Sequence, residues 1–203
     1  MNLTRRLLLA AAFALALPGA ASAAEGDMSL GDPKAKVTVI EYASVTCSHC
    51  AHWQETVFDA FKAKYVDTGQ VRYVLRELPT PPFEAATAGF MAARCAGDDK
   101  YFQVVDALMR SQALLQVRGG SDRWLRNASG LDPVGLQLCL MDKAALDASK
   151  ARIQANAEEY GVNSTPTFIV NGRKLDLDHP PTLEELDQAI QPLLTAKAKK
   201  PRK

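Results

Sequence analysis

The sequence is short of histidine, of cysteine and of net charge. Its 203 residues include three histidines and four cysteines, and the formal net charge is +1. A chain so close to neutral has no bulk electrostatic case for binding nucleic acid, and no nucleic-acid partner is expected. There is one C-x-x-C and no second, so the paired ligand clusters of the usual structural zinc site are missing. Charged residues at 23% against 47% hydrophobic exclude a disordered polyelectrolyte. Internal repeats are absent, as are low-complexity stretches away from the two ends. Long apolar runs are missing too. The best of them, Leu7–Leu17, is shorter than the ~20 residues a membrane-spanning helix needs.

That short run has another reading. Arg5 and Arg6 precede it, and Ala21 and Ala23 follow in "PGAASA". A charged start, an apolar middle and a small-residue cleavage site make residues 1–23 a secretory signal peptide. Export to the periplasm or beyond follows as an expectation. An exported compartment is oxidising, so the four remaining thiols, Cys47, Cys50, Cys95 and Cys139, read as potential disulfides. The far end, "KAKKPRK", is strongly basic, and residues 196–203 read as a solvated, disordered tail.

Between the ends the hydrophobic period changes twice. "KVTVIEYAS", from Lys36, predicts a buried central strand. Trp53, Val57, Phe58, Phe61 and Tyr65 recur at helical spacing after it, with Gly69 at the helix end. "VRYVLREL", Val71 to Leu78, predicts a second strand, and Pro79, Pro81 and Pro82 end it. From Phe83 to about Tyr160 the pattern is helical, in short segments. "TPTFIV", the turn Asn171-Gly172 and "RKLDL" predict a hairpin. Thr182 and Glu185 form the capping-box pattern of a last helix. A β-α-β start and a β-hairpin-α finish can share one sheet, with the helical block inserted between the halves.

The chemistry is concentrated in Cys47-Ser48-His49-Cys50. Haem attachment requires histidine directly after the second cysteine, and Ala51 stands there. Metal binding remains open, with Cys47, Cys50 and His49 as ligands, although a zinc site wants about four. A purely structural crosslink closes so small a loop that it adds little by chain entropy. A redox dithiol fits best. Cys47 immediately precedes a helix, where free N–H groups and the macrodipole favour a thiolate. His49, if cationic, adds to that. Cys50, one turn inward, is placed to resolve a mixed disulfide.

"CSHC" after "VIEYAS", with "STPTF" ahead of a later strand, resembles the thioredoxin superfamily. The helical insertion and the leader make the chain similar to the DsbA family of exported thiol oxidases. The resemblance covers about Val37 to Leu194 and implies an α/β chain, a thioredoxin fold with an inserted α-helical domain. Residues 24–81 and 161–195 would be the two halves of the thioredoxin-like domain, and 82–160 the insertion. The resemblance further implies that Pro166 is cis and faces the dithiol. The backbone of Thr165 would then pair with an extended substrate. It implies that Glu41, six residues before Cys47, is a buried acid that exchanges a proton with Cys50. No lysine in the following helix is evident as its partner. It also implies a second, structural disulfide between Cys95 and Cys139.

The expected activity is that of a protein disulfide oxidase working without cofactor or metal. Reduced or unfolded exported proteins would be its substrates, and a membrane redox partner would reoxidise it. Only about 13 residues separate the cleavage site from the first expected strand, too few for an added dimerisation domain, and a monomer is expected. Two alternatives stand beside this reading: an isomerase or reductase of the same fold, and an exported metal-binding protein using Cys47, Cys50 and His49.

Overall fold

The computed structural model describes residues 26–196. The leader read at residues 1–23 lies outside them, and so does the basic tail apart from Ala196. The chain opens with a short strand, β1 (Met28–Leu30), which sequence pattern did not signal. Three residues are too few to show alternation, and Met28–Leu30 is recruited by pairing with the edge of a sheet. Next come β2 (Val37–Ala43), α1 (Ser48–Trp53), α2 (Asp59–Phe61) and β3 (Val71–Glu77). Between Ser48 and Val66 the helix runs on without a break, with wider π-type turns at Gln54–Phe58 and Lys62–Val66. Five helices follow: α3 (Phe83–Cys95), α4 (Tyr101–Arg110), α5 (Gly120–Ser129), α6 (Pro133–Met141) and α7 (Lys143–Tyr160). The chain then completes β4 (Thr167–Val170), β5 (Arg173–Lys174) and α8 (Leu183–Thr195).

The five strands form one sheet in the order β1-β3-β2-β4-β5. Only β2 and β3 run parallel; the other pairs are antiparallel. β2 is central, and all seven of its residues are buried. Its side chains alternate between two cores, as a strand covered on both faces requires. Val37, Val39 and Ala43 join the larger core with Trp53, Phe61 and Tyr73, while Ile40 and Tyr42 meet Val74, Val162 and Ile169. The return strand of the hairpin is shorter than "RKLDL" suggests. After Lys174 only the Leu175 amide still reaches β4, donating to Phe168 O at 2.9 Å. The turn itself is as the Asn-Gly pair dictates, with φ of 44° at Asn171 and 80° at Gly172.

The end of β3 fastens the insertion to the sheet. Arg76 and Glu77 are adjacent, so they point to opposite faces, and both side chains are buried. Arg76 donates to Asp27 at 3.0 Å, to Glu159 at 2.8 Å and to the Tyr42 hydroxyl at 2.8 Å. Glu77 accepts from Arg94 of α3 at 2.7 Å, Arg152 of α7 at 2.9 Å and Tyr101 of α4 at 2.9 Å. One carboxylate thus ties three helices of the insertion to the sheet. Within the insertion a covalent tie joins two helices: Cys95 at the end of α3 is bonded to Cys139 of α6, with a sequence separation of 44.

Removing one member of a buried, hydrogen-bonded charge cluster leaves the other charges uncompensated. Glu77→Ala is therefore expected to lower stability by about 3 kcal/mol, the low end of that range because Arg94 and Arg152 keep some access to water. Urea denaturation monitored by tryptophan fluorescence checks this. A loss below about 1 kcal/mol would show that water replaces the carboxylate.

Candidate active site

The dithiol sits where β2 gives way to α1. Ser44 makes the turn. Its carbonyl accepts from the Cys47 amide at 3.1 Å, and its hydroxyl accepts from the amides of Thr46 and Thr80. Thr46 Oγ1 donates to Thr80 O at 2.9 Å, which pins the turn to the loop entering α3. That loop also contains a cis Pro81-Pro82 bond. Cys47 is the N-cap of α1, with extended backbone (φ −82°, ψ 120°). Its sulfur accepts from the Cys50 amide at 3.4 Å, the place a serine or aspartate oxygen usually holds.

The two thiols, unbonded to each other in the structure, are made chemically unequal by this geometry. Cys47 is partly exposed and Cys50 is buried. Hydrogen bonding from the Cys50 thiol, helped by the Thr165 side chain and the amides of Cys50 and His49, brings Cys47 down to about 5, against an opposing effect of burial. Thr165 acts on Cys47 in two senses. Its carbonyl oxygen, 3.5 Å from Sγ, can accept only from the thiol. Its hydroxyl is buried with no hydrogen-bond partner among the described residues. The donors outnumber that one acceptor, so the thiolate wins. Cys50 is pushed well above the usual thiol range, by burial first and then by Cys47 and Glu41.

Glu41 lies on β2 beneath the dithiol, 1% exposed. Burial raises it to about 8, although a hydrogen bond from the Tyr73 hydroxyl works the other way. Tyr73 is the partner that sequence reading missed. It stands on β3, the neighbouring strand, and no periodicity links the two positions. His49 is exposed on α1, and what it supplies to Cys47 is its backbone N–H. Across the site the Thr165-Pro166 bond is cis. His52 is exposed, away from these contacts.

Three further side chains hold the constellation. Gln112, in the short 3-10 turn after α4, donates to Val45 O at 2.9 Å and Cys47 O at 3.1 Å. Gln54 donates to Asp106 of α4 at 3.1 Å. Trp53 packs its ring 4.7 Å from Phe168 and donates to Pro181 O at 2.8 Å, tying the redox helix to the loop before α8. Beside Pro166 a 160 Å³ cleft is lined by Thr167, Lys174, Leu177 and His179. Cys95 and Cys139 take no part here; their bond lies within the insertion. Among the described residues no group of three or more His, Cys, Asp or Glu is placed to hold a metal.

A family model described as thioredoxin matches residues 23–192. The crystal structure of alpha-DsbA1 from Wolbachia pipientis is 27% identical with a TM-score of 0.72, covering 85% of this chain and 92% of that one. Oxidised BdbD from Bacillus subtilis, 18% identical with a TM-score of 0.71, covers 84% of this chain and 94% of its own and shares the fold. A Rickettsia typhi protein, provisionally named a protein-disulfide oxidoreductase, is 31% identical over 159 residues. The match takes in 72% of this chain and 55% of that protein, so the chain spans about half the length of this curated relative.

The unequal thiols have a direct readout. With iodoacetamide, Cys47 of the reduced protein is expected to alkylate at a rate that falls off only as pH drops through about 5. Cys50 should stay unmodified over the same range. A single inflection near pH 8.5 to 9 for Cys47 would remove the capping argument.

Proposed function

The chain belongs to the thioredoxin family, in its DsbA-like form, and from that premise we propose that it is an exported thiol:disulfide oxidase. It introduces disulfides into exported proteins through Cys47 and Cys50. The observation that carries this reading is the opposed pair of sulfurs: Cys47 is favoured as thiolate, while Cys50 is favoured as thiol. Stabilising the reduced dithiol makes the disulfide a stronger oxidant, because the free energy gained on reduction includes the stabilised thiolate.

The reaction runs as follows. A substrate thiolate attacks Cys47 Sγ of the oxidised pair, forming a mixed disulfide and breaking the Cys47–Cys50 bond. The electron pair leaves on Cys50, the buried sulfur. Glu41, neutral below about pH 8, donates a proton to it; the charge passes to the Glu41 carboxylate, which regains a proton from solvent. A second substrate thiolate then attacks its own mixed-disulfide sulfur and expels Cys47. Cys47 leaves as the capped thiolate, and a low-pKa leaving group leaves fast. Two electrons have passed from substrate to enzyme. Reoxidation reverses the sequence, with Glu41 now taking the Cys50 proton, and is assigned to a membrane redox partner. Thr165 and Pro166 offer the backbone edge along which the substrate lies beside Cys47.

Export rests on the leader pattern at residues 1–23 and on a disulfide chemistry suited to an oxidising compartment. Among the described residues no helix is long and apolar enough to cross a membrane. The assembled reading is of leader, two-part thioredoxin-like domain (24–81 and 161–195), insertion (82–160) and basic tail.

Cys47→Ser is expected to abolish oxidation of a reduced peptide, and Cys50→Ser to accumulate mixed disulfides with it; full turnover by the Cys47 variant would sink the assignment. The dithiol potential, taken against glutathione buffers, should lie near about −120 mV as in DsbA rather than near about −270 mV as in thioredoxin. The pH dependence has a definite sign. Cys47 is lowered from the ordinary 9 to about 5 on folding. Its thiolate therefore adds nothing to the reduced form below pH 5, adds progressively more up to pH 9, and adds its full share above that. Urea unfolding should show the reduced protein gaining on the oxidised one across that window, and a flat difference would count against the thiolate mechanism.

A further inference from the structure

Glu41 stands where a carboxyl finds few partners. Along the sheet it is opposite Leu75 of β3 and Phe168 of β4, both buried and apolar. The dithiol segment brings Cys47 and Cys50 to it as titratable groups. The remaining neighbour is Tyr73. In the parallel register Tyr73 pairs with Val39, two residues before Glu41 and on the same face, so its side chain crosses diagonally to the acid. Its hydroxyl donates to Glu41 Oε2. The groups that act on Glu41 are thus this phenol and Cys47, and neither is a cation.

The phenol is held firmly and keeps its proton. The Tyr73 ring is fully buried, 5.2 Å from Phe58, 6.0 Å from Phe61 and 6.0 Å from Phe102 of α4. Burial, and then Glu41 itself, push its hydroxyl well above the ordinary tyrosine range. The next titratable group beyond it, Tyr101 of α4, is committed to Glu77. Tyr73 is therefore a donor to Glu41 whether the acid is protonated or not. In the neutral acid the oxygen that accepts is the carbonyl one, which puts the acid's proton on Oε1.

We propose that Tyr73 is the positioning residue for proton transfer to Cys50: its hydroxyl fixes the Glu41 carboxyl and stabilises the carboxylate left when the proton has gone. The inference rests on the oxidase reading given above. Attack of a substrate thiolate on Cys47 breaks the Cys47–Cys50 bond and leaves the electron pair on Cys50 Sγ. The Glu41 proton moves to that sulfur, and the negative charge moves to the carboxylate. A carboxylate in apolar surroundings is costly unless it is hydrogen-bonded. A hydrogen bond to a charged acceptor is stronger than one to a neutral acceptor. Tyr73 therefore favours the end of the transfer over its start, and it does so without adding a second buried charge.

The test is stopped-flow tryptophan fluorescence of the oxidised protein as a reduced cysteine peptide reduces it. The rate is expressed per peptide thiolate, which removes the peptide's own titration. In the unsubstituted protein this rate should be level at low pH and fall as Glu41 ionises. Tyr73→Phe keeps the ring packing and removes only the hydroxyl. It should lower the level by about threefold and move the fall upward by about one pH unit, because the lost bond favoured the carboxylate. In a Glu41→Gln background Tyr73→Phe should change nothing further, and each variant should keep wild-type circular dichroism. A Tyr73→Phe profile identical to the unsubstituted one overturns the proposal while leaving the oxidase reading intact. An equal slowing in the Glu41→Gln background overturns it too, since the tyrosine would then act through packing alone. A protein whose disulfide the peptide cannot reduce at all removes the oxidase reading and this inference together.

Discussion

A sulfur atom holds the position that an oxygen usually takes at the start of a helix, and much of the molecule serves to keep it there. Cys47 accepts the Cys50 amide as an N-cap does, while its own carbonyl accepts from Ala51 and starts the helix ladder. The cap demands extended backbone at Cys47, helical backbone from Ser48 onward and a tight turn at Ser44. The same local geometry that starts the helix therefore also sets the thiolate. The Cys50 thiol does most to lower Cys47, and the N–H groups that start the helix add to it, so chemistry and folding share part of their support. Beneath, Glu41 solves the complementary problem of an acid in an apolar core. It stays neutral near pH 7 and accepts one hydrogen bond from Tyr73.

The insertion is no appendage to this arrangement. Gln112 grips the carbonyls on either side of the turn, and Thr80 closes over it. Gly89 of α3 shows how close the approach is. A Cβ there would lie 2.8 Å from Val45 and 3.1 Å from Trp124, so only glycine lets α3 lie against the dithiol loop. The helices after β3 thus form one wall of the active site, and Glu77 holds that wall to the sheet. Trp53 extends the same support to the other flank through Pro181 and Phe168.

What was legible in the sequence followed from local rules. The apolar run of β2, the helix after Cys50, the Asn-Gly turn and the Thr182 capping box are patterns that neighbours in the chain impose on one another. The dithiol was legible for the same reason, since two cysteines one turn apart at a strand-helix junction are a local signal. What escaped depended on pairing across the sheet or between domains. Tyr73 meets Glu41 because β2 and β3 lie parallel in one register. Gln112 reaches Cys47 through the docking of the insertion. Arg76 and Glu77 read as ordinary charges at a strand end, because nothing nearby announces that arginines 17 and 75 positions further on will meet Glu77 (Arg94 and Arg152). The disulfide between Cys95 and Cys139 rested on the family resemblance, for spacing alone could not pair them.

Those adjacent charges on β3 bear on the medium in which the protein works. Surface ion pairs fade as ionic strength rises, because mobile ions crowd around them within a Debye length. Arg76, Asp27 and Glu77 are closed to such ions, with side chains no more than 1% exposed. Their attraction is set by the protein's own packing, and salt has little hold on it. The Glu77 carboxylate thus holds the insertion to the sheet through an attraction that added salt weakens less than it weakens pairs at the surface.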